Sequence, residues 1–131
     1  MKGLKGWVLA VAGAVVVLAG VFVLQAPAQA YKNVNVSELY AAGASGALVL
    51  DVRQPEEYAQ GHVKGAKLIP LGEIEARAAE VPDSVPVYVI CHSGNRSAQA
   101  SKILAAKGKR DIRNVEGGIL AWQAAGYPVE R

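Results

Sequence analysis

The sequence predicts an α/β domain: a central, mainly parallel five-stranded sheet flanked by helices and preceded by an N-terminal apolar segment. Three observations predict it. Five short runs, at residues 33–36, 47–50, 67–69, 87–90 and 112–115, alternate with segments of helical character, as βα crossovers require. Val87-Tyr88-Val89-Ile90 runs through a short glycine-containing loop into an alanine-rich stretch, a strand–loop–helix unit. No internal repeat or low-complexity linker interrupts the chain after Ala30, so its 131 residues amount to one domain and a surplus.

The surplus is residues 1–30. Lys2 and Lys5 form a basic start, residues 7–24 are an apolar run of 18, and Gln25-Ala26-Pro27-Ala28-Gln29-Ala30 supplies a helix breaker. Small residues, Ala28 and Ala30, occupy the −3 and −1 positions, which is the pattern of a secretory signal cut before Tyr31. The alternative is an uncleaved anchor, since 18 apolar residues are just long enough to span a bilayer. With the lysines held inside, residues 31–131 lie outside the cytoplasm in both readings, periplasmic or secreted, or membrane-anchored through residues 7–24.

In the remaining chain, residues 33–36 are a first short strand, with Ser37 as N-cap of a helix over 38–42. Ala47-Leu48-Val49-Leu50 is a buried strand that delivers Asp51. Pro55-Glu56-Glu57-Tyr58 starts a helix, with Pro in the first turn and acids where the dipole favours them. Lys67-Leu68-Ile69 is a strand stopped by Pro70, and residues 73–80 are a modest helix closed by Val81-Pro82-Asp83. Residues 87–90 are the next strand and 97–107 the helix behind the loop, with Gly108 to cap it. Residues 112–115 are the last strand. Gly117-Gly118 introduces a final helix over 119–125. Sites in such sheets gather at the carboxyl ends of the strands, where Asp51 and Cys91 both fall.

Charge and composition narrow the function. The chain has 14 Lys+Arg against 11 Asp+Glu, but two of the lysines belong to the N-terminal surplus. The remaining 12 against 11 is near neutrality and argues against a nucleic-acid partner, as does the lack of a basic run with interleaved aromatics. Lys107, Lys109, Arg110 and Arg113 cluster as a solvated helix end. His62, His92 and the one cysteine lack metal-ligand spacing, so no metal or cofactor is expected, and His62 reads as structural.

The only cysteine, Cys91, sits where a strand enters Cys91-His92-Ser93-Gly94-Asn95-Arg96-Ser97. Unsatisfied N–H groups at a helix start favour a thiolate, and Arg96 adds a permanent cation. Cys91 is the candidate nucleophile. Gly94 allows the tight turn that brings amides to the sulfur. His92, Ser93, Asn95 and Ser97 join Gly94 and Arg96 as candidate substrate-binding residues. Ser97 also fits a helix N-cap, and Arg96 also fits an ion pair with Asp51 or a helix acid. The remaining alternative for Cys91 is a buried structural thiol.

These residues resemble a known family. Leu50-Asp51-Val52-Arg53-Gln54-Pro55-Glu56-Glu57-Tyr58 leading to Gly61-His62-Val63-Lys64-Gly65-Ala66, the cysteine loop, and Val115-Glu116-Gly117-Gly118-Ile119-Leu120-Ala121-Trp122 together resemble a single-domain rhodanese, a thiosulfate sulfurtransferase. With the N-terminal segment, the chain looks most like the periplasmic type. The resemblance implies the three-layer rhodanese-like fold and a Cys91 persulfide. It would be formed from a small donor such as thiosulfate and discharged to cyanide, a thiol or a protein acceptor. It implies that Asp51 and Arg53 brace the site. Related phosphatases carry a loop one residue longer between cysteine and arginine, so the tighter loop favours sulfur over phosphate. Enzymatic turnover and a carrier that hands sulfur to a partner both remain open. A single short domain also leaves Cys91 expected to be open to solvent.

Overall fold

The computed structural model describes residues 30–43 and 45–131; the expected signal or anchor lies outside them, apart from Ala30. The strands are β1 (Lys32–Val34), β2 (Leu48–Asp51), β3 (Lys67–Leu68), β4 (Val87–Ile90) and β5 (Ile112–Val115). The helices are α1 (Val36–Ala42), α2 (Pro55–Ala59), α3 (Asn95–Ala106) and α4 (Gly118–Ala124). All strand pairs are parallel, in the order β1-β5-β4-β2-β3. β4 lies at the centre, and all four of its residues are buried, because helices cover both faces of the sheet.

Alternation along β4 divides the core in two. Val87, Val89 and Cys91 pack with Leu50, Val52, Ala100 and Leu104 beneath α3. Tyr88 and Ile90 pack with Leu39, Val49, Ile119 and Trp122 beneath α1 and α4. The expected three-layer arrangement is present, and strands 87–90 and 112–115 have the expected bounds.

Three local expectations are corrected. Asn35, not Ser37, caps α1: its Oδ1 accepts the Glu38 N–H at 3.0 Å and the Ser37 hydroxyl at 2.7 Å. Residues 73–80 form no α-helix. Two 3₁₀ turns, Leu71–Glu73 and Ala78–Glu80, stand there, closed by bonds such as Ile74 N–H to Leu71 O and Val81 N–H to Ala78 O. These i→i+3 bonds wind the chain more tightly than an α-helix and satisfy the backbone at both ends of the stretch. Finally, α3 begins at Asn95, two residues before the expected start, so Ser97 lies inside the helix and Gly94 holds the cap position. At its other end Gly108, at φ +90°, donates to Ala105 O, and Lys109 N–H reaches Leu104 O, the Schellman closure expected of that glycine.

Candidate active site

β4 carries Cys91 to the carboxyl edge of the sheet, beside the end of β2, where Asp51 is in register with Ile90. The Sγ of Cys91 receives the N–H of Gly94 at 3.1 Å and lies 3.3 Å from the Oγ of Ser97. Burial pushes the thiol pKa up. The Ser97 hydroxyl, with the N–H groups of Ser97, Gly94 and Ser93, outweighs that and holds it below the ordinary thiol value. The expectation of an open cysteine is corrected: Cys91 is 1% exposed, because core residues pack under it and the loop wraps its sulfur.

The loop depends on glycines. Gly94 is at φ +107°, and a Cβ there would stand 3.1 Å from the Gly117 nitrogen. From below, α4 supports the loop: Ile119 N–H donates to Cys91 O at 2.8 Å and Leu120 N–H to His92 O at 3.1 Å. These are first-turn donors that a helix leaves unpaired. Gly118 permits that approach, since a Cβ there would lie 2.5 Å from the Cys91 carbonyl oxygen and closer still to that of His92.

Arg96 does not stand over the sulfur as an unpaired cation. Its Nη1 and Nη2 donate to the two oxygens of Glu57, at 2.8 and 2.9 Å. The acid partner left open in the sequence is therefore Glu57 on α2, and not Asp51. Glu57 Oε1 also accepts the Gln54 N–H at 3.1 Å. The Arg96 guanidinium holds the Glu57 carboxyl down to about 2, so the pair is ionised throughout the working range.

Asp51 and Arg53 form a separate buried pair. Arg53 donates Nη2 to Asp51 Oδ2 at 2.8 Å and also to the Gly61 carbonyl at 2.8 Å, tying the end of β2 to the loop after α2. His92 and Ser93 are exposed, and Asn95 opens α3 with its side chain exposed. A cleft of about 200 Å³ beside the loop is lined by Arg53, Glu57, Gln60, His92, Ile119 and Gln123. His62 plays a structural part: it stacks on Tyr58 at 3.7 Å, its Nδ1 is 2.8 Å from Tyr58 O, and its backbone pairs with Glu130. Among the described residues, no group of three or more His, Cys, Asp or Glu could hold a metal ion.

The structure thus gathers Cys91, Ser93, Gly94 and Ser97 around one sulfur atom. It sets His92, Arg53 and Glu57 on the cleft and Asn95 on the loop's far side, beside Asn33 and Asn114. Sequence reasoning did not single out Glu57 or the bracing role of Gly118. Glu57 carries only the signal of a first-turn helix acid, and its partner is 39 residues away.

The model of the rhodanese-like domain family matches residues 35–125. A candidate sulfur carrier protein of Bacillus subtilis, YrkF, is 43% identical over 74 residues, which cover 56% of this chain and 40% of that protein. The chain thus spans well under two thirds of that relative's length. The thiosulfate sulfurtransferase GlpE of Pseudomonas entomophila is 30% identical over 100 residues, 76% of this chain and 91% of that protein. Among solved structures, a rhodanese-related protein of Thermoplasma volcanium superposes with a TM-score of 0.71 at 36% identity, covering 76% of this chain and 98% of that one.

Proposed function

We propose that this chain, which belongs to the rhodanese-like domain family, is a sulfurtransferase that carries sulfane sulfur as a persulfide on Cys91. The observation that supports this most directly is the sulfur's surroundings: the Gly94 N–H at 3.1 Å and the Ser97 hydroxyl at 3.3 Å, at the start of α3. Donors aimed at a sulfur atom stabilise the thiolate before reaction and a terminal persulfide anion after it. With thiosulfate, the Cys91 thiolate attacks the outer sulfur, the S–S bond of the donor breaks, and sulfite leaves with the electron pair. A nucleophilic acceptor such as cyanide or a thiol then attacks the outer sulfur of the persulfide, and the Cys91 thiolate returns. Sulfur is transferred without net oxidation, in two half-reactions of ping-pong form.

Asp51 and Arg53 have the part of a brace in this reading, and loop residues 92–97 that of the persulfide cradle. A second reading is a sulfur carrier with little free turnover. Two observations favour it: the likeness to the Bacillus subtilis candidate carrier, and the single cysteine of the chain, which leaves release to an outside acceptor. The working compartment in both is extracytoplasmic, reached through residues 1–30 as a cleaved signal or as an anchor facing outward.

Excess thiosulfate with the full chain and with Cys91→Ser, followed by intact mass and by thiocyanate release from cyanide, tests these readings. Gain of one sulfur atom with turnover, both lost in Cys91→Ser, is the expected result. Gain without turnover selects the carrier. Activity unchanged in Cys91→Ser overturns the mechanism.

A further inference from the structure

We infer that Glu57 selects the sulfur donor: by occupying both nitrogens of Arg96 it leaves the site without an uncovered cation, and so disfavours dianionic donors relative to monoanionic ones. This rests on the reading of Cys91 as the sulfur acceptor. One guanidinium group stands near the thiol, that of Arg96, and another, that of Arg53, lines the cleft; each is covered by a carboxylate. Arg96 is held by Glu57 at 2.8 and 2.9 Å, and Arg53 by Asp51 at 2.8 Å. Neither pair requires a ligand to balance it.

The cleft beside the loop shares this balance. Its charged lining residues are Arg53, already paired, and Glu57, whose carboxylate faces Arg96. His92, Gln60 and Gln123 supply uncharged or weakly basic polar groups, and Ile119 supplies an apolar wall. We place the far end of a donor that presents its sulfane sulfur to Cys91 in this cleft, because His92, the next residue after Cys91, lines it. In thiosulfate that end is a sulfonate, which places a second negative charge beside Glu57. In an alkyl thiosulfonate one oxyanion is replaced by carbon, in an alkyl persulfide the whole sulfonate is replaced by an alkylthio group, and the apolar wall meets the carbon.

The reaction balances for both. The Cys91 thiolate attacks the terminal sulfur, the donor's S–S bond breaks, and sulfite leaves from thiosulfate or sulfinate from an alkyl thiosulfonate. An alkyl persulfide releases a thiolate in the same way. None of these steps needs an oxidant or a reductant.

Thiosulfate and methanethiosulfonate make a matched pair of probes, since a methyl group in one replaces a charged oxygen in the other. The readout is the ratio of kcat/KM for thiosulfate over methanethiosulfonate, measured on the full chain with cyanide as acceptor. Glu57→Gln removes the negative charge, and the expected result is a rise in the ratio of about fivefold, the effect of one partly screened unit charge in a site of this size. Arg96→Gln leaves Glu57 uncovered and should lower the ratio. Glu57→Gln with Arg96→Gln restores neutrality and should return it near the wild-type value.

A merely structural pair would lower both donors together and leave the ratio unmoved in all three variants, which overturns the inference. A fall of the ratio in Glu57→Gln overturns it as well. Should Glu57→Gln melt too low to assay, the Arg96→Gln ratio carries the test, and a ratio no lower than wild type overturns the proposal. Failure of both donors to place sulfur on Cys91 of the wild-type chain would instead sink the persulfide reading itself.

Discussion

Ser97 is the residue whose part changes most between sequence and structure. Its type and position suit a helix N-cap, yet its hydroxyl lies 3.3 Å from the Cys91 sulfur and it is fully buried. Removing that hydroxyl takes away the largest of the groups that hold the thiol pKa down against burial. In Ser97→Ala the thiolate titration, followed by ultraviolet absorbance against pH, is expected to move to higher pH, and persulfide formation at neutral pH to slow. The sign for stability follows from linkage. A thiol whose folded pKa is depressed adds stability that is fully present above the unfolded value of about 8.5 and is lost as pH falls through the folded value. The stability deficit of Ser97→Ala should therefore widen with alkaline pH; a deficit independent of pH would mean that the hydroxyl acts by packing alone.

Two helix starts converge on the loop. Ser93 and Gly94, just ahead of α3, and Ser97 in its first turn present the amides that face the sulfur, and α4 donates two first-turn N–H groups to the carbonyls of Cys91 and His92. The loop thus has donors aimed at its sulfur from one element and its carbonyls held by another, which keeps its amides oriented. Gly118 lies at the contact, at φ +57°, with no room for a Cβ. Gly118→Ala should cost about 1–3 kcal/mol from backbone strain and the displaced contact, and should slow persulfide formation as well. Gly126→Ala, at φ +82° with open space around it, is the control: some stability is lost, but sulfur transfer is retained. Equal effects of the two on transfer would show that α4 does not hold the loop.

For the whole molecule, the parallel order β1-β5-β4-β2-β3 places the two site-bearing strands side by side, so that Asp51 and Cys91 end at the same edge. Its cores on both faces of β4 stand without a disulfide, the single cysteine being left free for chemistry. Export is the prediction at this scale. The 131-residue chain, expressed in a bacterium with a secretory pathway, is expected to yield an extracytoplasmic protein whose intact mass begins at Tyr31. A membrane fraction retaining Met1 would select the anchor, and a cytoplasmic full-length chain would overturn both.

Local pattern alone predicted the α/β class and the strands at 87–90 and 112–115, and it singled out Cys91 as the residue to test. Apolar periodicity, glycine placement and a lone cysteine at a strand end are properties of contiguous residues. The replacement of a helix over 73–80 by 3₁₀ turns turned on a few backbone bonds, and the cap fell to the side chain of Asn35 and not Ser37, both cap-forming types, because α1 starts at Val36. Which acid meets Arg96, whether Ser97 faces solvent or sulfur, and why two glycines begin α4 were decided by tertiary structure. Each is a contact between segments distant in the chain, as with the 39 residues from Glu57 to Arg96, and such contacts exist only once the sheet has set α2, α3 and α4 around one strand end.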